Sequence, residues 1–227
     1  MYETSLYLSI LFESPKQTAA VIPHIFHLDA RDKARSEPRS LHAIVVALLY
    51  QLVSTYPSQS LYHRYLGYLP TTVLLKGSPL EVWLDSLASQ LRRRNYAKFD
   101  ALSHKSAWPD ALNDDLRETR KALYSRWPDN TDMQHLPSKS FLFILDNLRR
   151  HAGDAAWTVI RSAYRELSCD VSSGETTTWL ARSLCLESLM SEARSVAVEA
   201  WLNEKTPLDH VQAKEGATGR WIIRKPR

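Results

Sequence analysis

The sequence predicts an α/β domain that is dominated by helices and contains a small parallel sheet flanked by them. Helices are favoured because the 227 residues include 6 glycines and 11 prolines, too few for the tight turns of a sandwich or a barrel. The sheet is indicated by two continuous apolar runs, which end in an acid at Asp29 and at Asp146. Such runs lack the alternation of a half-exposed strand and are typical of strands buried in a parallel sheet.

The domain organisation follows from the hydrophobic content and from the place where charge accumulates. With 44% hydrophobic residues, the chain can bury one substantial core, and we expect a single domain over residues 1–204. Residues 205–227 are polar, contain two glycines and end in a basic run from Arg220 to Arg227. They predict a basic, flexible C-terminal tail.

Three segments are the predicted strands. The run from Ala19 to Leu28 is rich in β-branched and aromatic residues, and the run from Phe141 to Leu145 is apolar throughout. The apolar segment from Leu6 to Phe12 can supply a third strand. Since the carboxyl ends of parallel strands share one edge of a sheet, Asp29 and Asp146 are expected at that edge.

The helices are predicted from apolar residues at helical spacing and from capping signals. Ser40 is the expected N-cap of the first, and Ser78 and Glu81 flank Pro79 in the pattern of a capping box. The predicted helices cover residues 41–53, 79–94, 110–127, 154–167 and 175–203.

The cysteines and histidines predict neither a disulfide framework nor a metal site. Cys169 and Cys185 are too few and too isolated, and we expect both thiols to be packing residues. On a strand, His24 and His27 point to opposite faces and cannot share an ion. The apolar run Leu6–Phe12 is too short for a signal peptide, and no segment approaches a membrane span. We expect a cytoplasmic protein without membrane contact, with the nucleus as the alternative.

Two stretches carry a resemblance to a known family. The segment His24–Asp29 with Asp32, followed by the helix from Ser40 to Leu52 with its Leu-Leu-Tyr-Gln-Leu sequence, resembles the strand and the "LL-x-QL" helix of fungal NACHT-type signalling NTPases, a branch of the STAND class. The stretch Phe141–Leu148 looks like their Walker B strand. The resemblance implies a P-loop NTPase-like fold with Mg-ATP as cofactor, and it implies that Asp146 binds the magnesium ion.

Departures from the family pattern indicate a truncated or degenerate module. The sequence contains no Gly-Lys pair, so the G-x-x-x-x-G-K-[ST] loop that cradles the phosphates is missing. Family members carry further acids after the Walker B strand, where this chain has Asn147, Leu148, Arg149 and Arg150. We therefore expect no cofactor, with Mg-ATP at Asp146 as the alternative, and a role through contacts with another protein chain. A strand-end acid that caps the next helix is the competing interpretation of Asp146.

Two further functions stay open. An enzyme whose site is assembled from scattered residues leaves no motif in the sequence. The arginines at 92–94, 149–150 and 220–227, together with Trp221, would supply charge and stacking for a nucleic acid. Neighbouring acids such as Asp110 weaken the positive field of these arginines. They favour the alternative that each cluster is a solvated helix end or part of the terminal tail.

Overall fold

The computed structural model describes residues 2–26, 40–169, 174–189 and 198–225. Within these ranges the chain forms ten α-helices and one sheet of three short strands, so the predicted dominance of helices is confirmed. The helices are α1 (Tyr2–Leu11), α2 (Pro15–Ile25), α3 (Leu41–Ser54), α4 (Ser60–Tyr68), α5 (Pro79–Arg92), α6 (Tyr96–Ser103), α7 (Asp110–Arg126), α8 (Thr131–Ala163), α9 (Gly174–Ser183) and α10 (Val198–Lys205). The strands are β1 (Glu166–Ser168), β2 (Val211–Ala213) and β3 (Arg220–Ile223).

Helices α3 and α8 form the centre of the core. α8 is 33 residues long and packs against α1, α3, α6 and α7. Ten of the 14 residues of α3 are buried. A helix that is apolar on all sides is stable in water only when other elements cover it. This is why α3 lies among α1, α2, α4, α7 and α8.

The stretch predicted as a Walker B strand is the middle of α8, and the prediction of a strand there is wrong. Phe141, Ile144, Leu145 and Leu148 are buried, at the spacing that one face of a helix requires. A short apolar run fits both a buried strand and a buried helix face. Here the helical period continues on both sides of the run, and this longer pattern decides the structure.

The N-terminal strand predictions are also wrong wherever the structure describes them. The segment Leu6–Phe12 lies in α1 and at its end, and Ala19–Ile25 belongs to α2. The two helices pack against each other and bury Ile10 and Ile22. This packing outweighs the strand preference of the β-branched residues, since strand propensity depends on context. Asp29 lies outside the described residues.

The sheet of the described residues is antiparallel rather than parallel, with strand order β1, β3, β2. Two of its strands come from the segment predicted to be a flexible tail. Trp221 is 5% exposed, and Val211 and Ile223 are buried as well. Residues of β3 alternate between exposed and buried, which is the pattern of a strand with one packed face. The tail prediction therefore does not match residues 211–223.

Three helix predictions are confirmed, because α3, α5 and α7 begin and end close to the expected residues. At the start of α5 the hydroxyl of Ser78 accepts from the backbone N–H of Glu81 at 3.2 Å, as predicted. The Glu81 carboxylate accepts from the backbone of Gly77 rather than from Ser78. None of the described helices combines the length and the apolar character needed to cross a membrane.

Two helix predictions differ from the structure. The helix predicted over 154–167 is the end of α8, which stops at Ala163 before β1. The helix predicted over 175–203 is interrupted, since α9 ends at Ser183. Cys185 follows with a left-handed φ of 53°, a conformation that does not continue an α-helix.

Candidate functional site

A buried ion pair joins α6 to α8. Arg149 of α8 is 1% exposed, and its Nη2 atom lies 2.7 Å from Oδ1 of Asp100 in α6. Nη2 also donates to the carbonyl oxygen of Glu187 at 2.7 Å, and Nη1 donates to the hydroxyl of Ser103. The guanidinium thus connects three parts of the chain, which are α6, α8 and the segment that follows α9.

Because Arg149 is buried in this ion pair, it is not part of the predicted basic patch at 149–150. Arg149 lies four residues after Leu145 and eight after Phe141, on the buried face of α8, and this spacing is the sequence signal that places it inside. Arg150 points about 100° away around the helix; it is exposed and donates to the side chain of Asn147. Burial of an unpaired charge is costly, so Arg149 and Asp100 depend on each other.

His104 extends the cluster towards solvent. Its Nε2 atom lies 3.5 Å from Oδ2 of Asp100 and 3.7 Å from Oε2 of Glu187, and its side chain is one quarter exposed. One oxygen of Asp100 therefore faces Arg149 in the interior, while the other faces His104 near the surface. Asp100, His104 and Glu187 form no recognisable motif. Asp100 and His104 are four residues apart, but their partners Arg149 and Glu187 are distant in the chain, so no local pattern predicts the cluster.

An open cleft lies beside His104, between α7 and the first half of α8. It measures about 970 Å³, within the range of ligand-binding clefts. Its deepest side chains are Trp108 and Phe141, whose rings meet edge to face with 4.7 Å between their centroids. One side of the cleft is charged and consists of Asp110, Asp114, Arg117 and Arg120. The cleft combines an aromatic floor with a charged rim.

Asp146, the predicted magnesium ligand, lies in the middle of α8 rather than at the end of a strand. Its Oδ1 accepts from the backbone N–H of Leu189 at 3.4 Å. The cavity beside it measures about 180 Å³ and is also lined by Arg150 and Asp154, and this is smaller than the ~300–1,000 Å³ of typical ligand pockets. Within the described ranges, no cluster of three His, Cys, Asp or Glu side chains is arranged to hold a metal ion. Asp146 thus lies on a helix beside a small cavity, and not at the strand end that the resemblance implies.

Of the histidines and cysteines singled out in the sequence, His24, Cys169 and Cys185 do not line the cleft. His24 stacks on Tyr2 with 4.4 Å between ring centroids, and His27 is outside the described residues. Cys169 and Cys185 are free thiols. Burial raises the pKa of Cys185 to about 12 and also raises the pKa of Cys169. Neither thiol carries much thiolate at neutral pH, which agrees with a packing role.

The N-terminus of α3 is capped by carboxylates from two other helices. Asp115 of α7 accepts from the Ser40 hydroxyl at 2.8 Å and from the backbone N–H of His42 at 2.7 Å. Glu3 of α1 accepts from the backbone N–H of Ser40 at 2.8 Å. Ser40 stands at the predicted cap position, but its hydroxyl donates to Asp115 instead of accepting from its own helix. Carboxylates stabilise this end because its N–H groups lack helical partners.

His42 is buried beneath this cap. Its ring is inaccessible to solvent, Nδ1 lies 3.3 Å from the hydroxyl of Tyr7, and Nε2 has no hydrogen-bond partner within the described part of the chain. Burial lowers the pKa of His42 to about 3, so the imidazole is neutral at physiological pH. We assign it to the core rather than to a binding site.

Comparison of the chain with protein-family models, with curated proteins and with solved structures finds no match.

Proposed function

We propose that this chain acts in the cytoplasm as a non-catalytic module that binds another protein, and that the cleft between α7 and α8 is the binding surface. The observation that carries the proposal is the aromatic floor beneath a charged rim. Trp108 and Phe141 lie at the bottom, and Arg117 and Arg120 stand at the edge. Protein interfaces combine an apolar, aromatic-rich centre with a polar rim, and arginine is enriched in them.

The buried ion pair supports the floor of this cleft. Trp108 donates its indole N–H to the carbonyl oxygen of Ser103 at 3.0 Å. The Ser103 hydroxyl in turn accepts from Arg149. A surface that is held in place before binding loses less conformational entropy when a partner arrives. In this proposal the ion pair positions the binding surface and makes no direct contact with the partner.

Only part of what the resemblance to the NACHT-type proteins implies is included in this proposal. The helix that resembles their "LL-x-QL" helix is α3. Of the first stretch that was compared with their strands, His24 and Ile25 belong to α2, and the second stretch lies within α8. We therefore carry over the interaction role and leave out nucleotide binding.

Photocrosslinking in the cells that express the protein tests the binding surface. Benzoylphenylalanine in place of Leu142, which lines the cleft, is expected to give a discrete covalent adduct with one protein. The matched control carries the same group in place of Val82, which is exposed on α5 and does not line the cleft. Equal labelling from both positions, or no adduct from position 142, argues against the cleft.

Catalysis is tested separately with purified protein. We expect no magnesium-dependent ATP turnover above the level of an Asp146→Ala variant. Turnover that is abolished by Asp146→Ala would overturn the non-catalytic proposal, because it would show that the carboxylate on α8 serves a metal-nucleotide complex.

A further inference from the structure

A second cavity lies where α6, α8 and α9 meet, away from the cleft. It measures about 400 Å³. Arg93 and Arg94 line one end, Val159 and Ile160 of α8 line the floor, and Trp179 of α9 lines one side. We call this surface the arginine groove.

Within the described residues, the arginines at and beside this end of the groove have no acidic partner. Arg92, Arg93 and Arg94 are exposed, and none of them forms an ion pair with a carboxylate in the described ranges. Arg117 of α7, by contrast, pairs with Asp114 at 3.1 Å. The dipole of α5 favours cations at its C-terminus, but three guanidinium groups that no described carboxylate neutralises still leave an excess of positive charge for an anionic partner.

Arg94 occupies a backbone position that suits glycine better. Its φ is +56°, and the N–H of Asn95 donates to the carbonyl of Gln90 at 2.9 Å across the end of α5. Glycine is the usual residue at this point of such a helix-ending turn. A residue that persists in an unfavourable conformation points to a use of its side chain, and the Arg94 side chain lines the groove.

The floor of the groove is apolar and open to solvent. Val159 is 43% exposed and Trp179 is 38% exposed, whereas Ile160 below them is buried. Tyr164 meets Trp179 edge to face with 5.8 Å between ring centroids, which holds the indole against the groove. Tryptophan, tyrosine and arginine are the residues that most often dominate binding at protein interfaces.

From these observations we infer that the arginine groove binds an acidic segment of a protein partner, with one apolar side chain of that segment anchored against Val159 and Trp179. Carboxylates form paired hydrogen bonds with guanidinium groups, which matches Arg93 and Arg94. A peptide fits better than a nucleic acid strand, because a floor made mainly of aliphatic side chains offers bases little surface for stacking.

Fluorescence anisotropy with labelled synthetic peptides tests this inference on the full chain. The probe is a short peptide of alternating Glu and Ser with one central Leu. We expect it to bind about ten-fold more tightly than the peptide in which Ser replaces the Leu. The peptide in which Lys replaces every Glu is expected not to bind. No binding of the Glu–Leu probe up to about 1 mM, or equal binding of the Lys peptide or of an oligothymidylate, overturns the inference.

Variants locate the binding to the groove. Arg93→Gln/Arg94→Gln is expected to weaken binding of the probe about ten-fold or more, and Val159→Glu on the exposed floor is expected to abolish it. The matched control Arg117→Gln/Arg120→Gln removes the same charge from the cleft between α7 and α8 and should leave the affinity unchanged. A control that weakens binding as much as the groove variant overturns the inference. Crosslinking from position 142 is unaffected by that outcome, so the two proposals fail independently.

Discussion

Replacing Arg149 by Met tests the buried ion pair at the scale of one residue. Methionine has an unbranched apolar side chain that fills much of the same space, but the substitution leaves the Asp100 carboxylate buried without the guanidinium group that pairs with it. Loss of one partner from a buried pair costs about 3–5 kcal/mol. We expect the free energy of unfolding, measured by urea titration, to fall by this amount.

Two further variants complete this experiment. Arg150→Met changes the exposed neighbour on the same helix and is expected to alter stability by no more than about 0.5 kcal/mol. The double variant Arg149→Met/Asp100→Leu should recover most of the loss, because it removes both buried charges together. A single Arg149→Met variant that is as stable as the Arg150→Met protein would show that the pair is solvated.

The pH dependence of stability reports on His42. Its folded-state pKa of about 3 lies below the ordinary value of 6.5, so between these values the unfolded chain binds a proton that the folded chain does not. Stability therefore falls as the pH drops below 6.5 and continues to fall until the pH approaches 3. We expect His42 to account for a loss of about 2 kcal/mol in the free energy of unfolding between neutral pH and pH 5.

The control for this titration is a second histidine. His42→Gln should flatten the stability profile between pH 7 and pH 5, whereas His63→Gln, at an exposed position, should leave the slope of the wild-type protein. Urea titrations at several pH values measure both. Identical profiles for the wild-type and His42→Gln proteins are incompatible with a buried, neutral imidazole.

At the residue scale, the sequence indicates which positions are buried better than it indicates which residues meet. Spacing alone places Arg149 on the apolar face of α8. Its partner in α6 is 49 positions earlier, and Asp115 is 73 positions after the amide of His42 that it caps. Such pairs form only when whole helices pack together, so no local pattern records them.

At the scale of elements, Gly153 determines how closely the segment after α9 approaches α8. A Cβ atom on this residue would collide with the carbonyl oxygen of Leu184. We expect Gly153→Ala to lower the free energy of unfolding by about 1–3 kcal/mol, because the backbone of one element must shift. Urea titration measures the loss, and the accessibility of Cys185 to a thiol reagent reports the shift.

Gly67 in α4 is the matched control for this substitution. An added Cβ at Gly67 meets nothing within 4 Å, so Gly67→Ala should stabilise the protein by about 0.5–1 kcal/mol through helix propensity. Similar effects of the two alanines would contradict the close approach at Gly153.

Elements with their own capping signals were predicted best. α5 begins where Ser78 and Glu81 indicate, because these contacts lie within one turn of chain. The stretch Phe141–Leu148 is the opposite case, since its apolar residues satisfy a buried strand and a helix face equally well. Whether it forms a strand or a helix depends on the full length of α8. The predicted position of Asp146 at a strand end depended on the same choice.

At the scale of the whole molecule, the C-terminal strands contribute to the core that the helices form. Trp221 is part of that core, while the adjacent Ile222 is 42% exposed. We expect Trp221→Ala to lower the free energy of unfolding by about 3–5 kcal/mol, and Ile222→Ala by less than about 1 kcal/mol. If thermal and urea unfolding show small and equal losses of stability for the two variants, the result would favour the flexible tail that composition predicts.

The difference between tail and sheet was not visible in composition. Residues 205–227 are polar and basic on average, and the alternation in β3 extends over only four residues. So short a pattern is not distinctive in a sequence. It becomes a strand here because β1 and β2 pair with it on both sides.

The capping of α3 has a consequence for how the molecule folds. Its first turn is completed by Glu3, 37 positions before Ser40, and by Asp115, 75 positions after it. A peptide that contains α3 alone lacks both acids, and its first amides remain bonded to water. Because the most buried helix is capped by both α1 and α7, we expect the three helices to unfold together, and a fragment that lacks α1 or α7 to lose the carboxylate on that side of the cap.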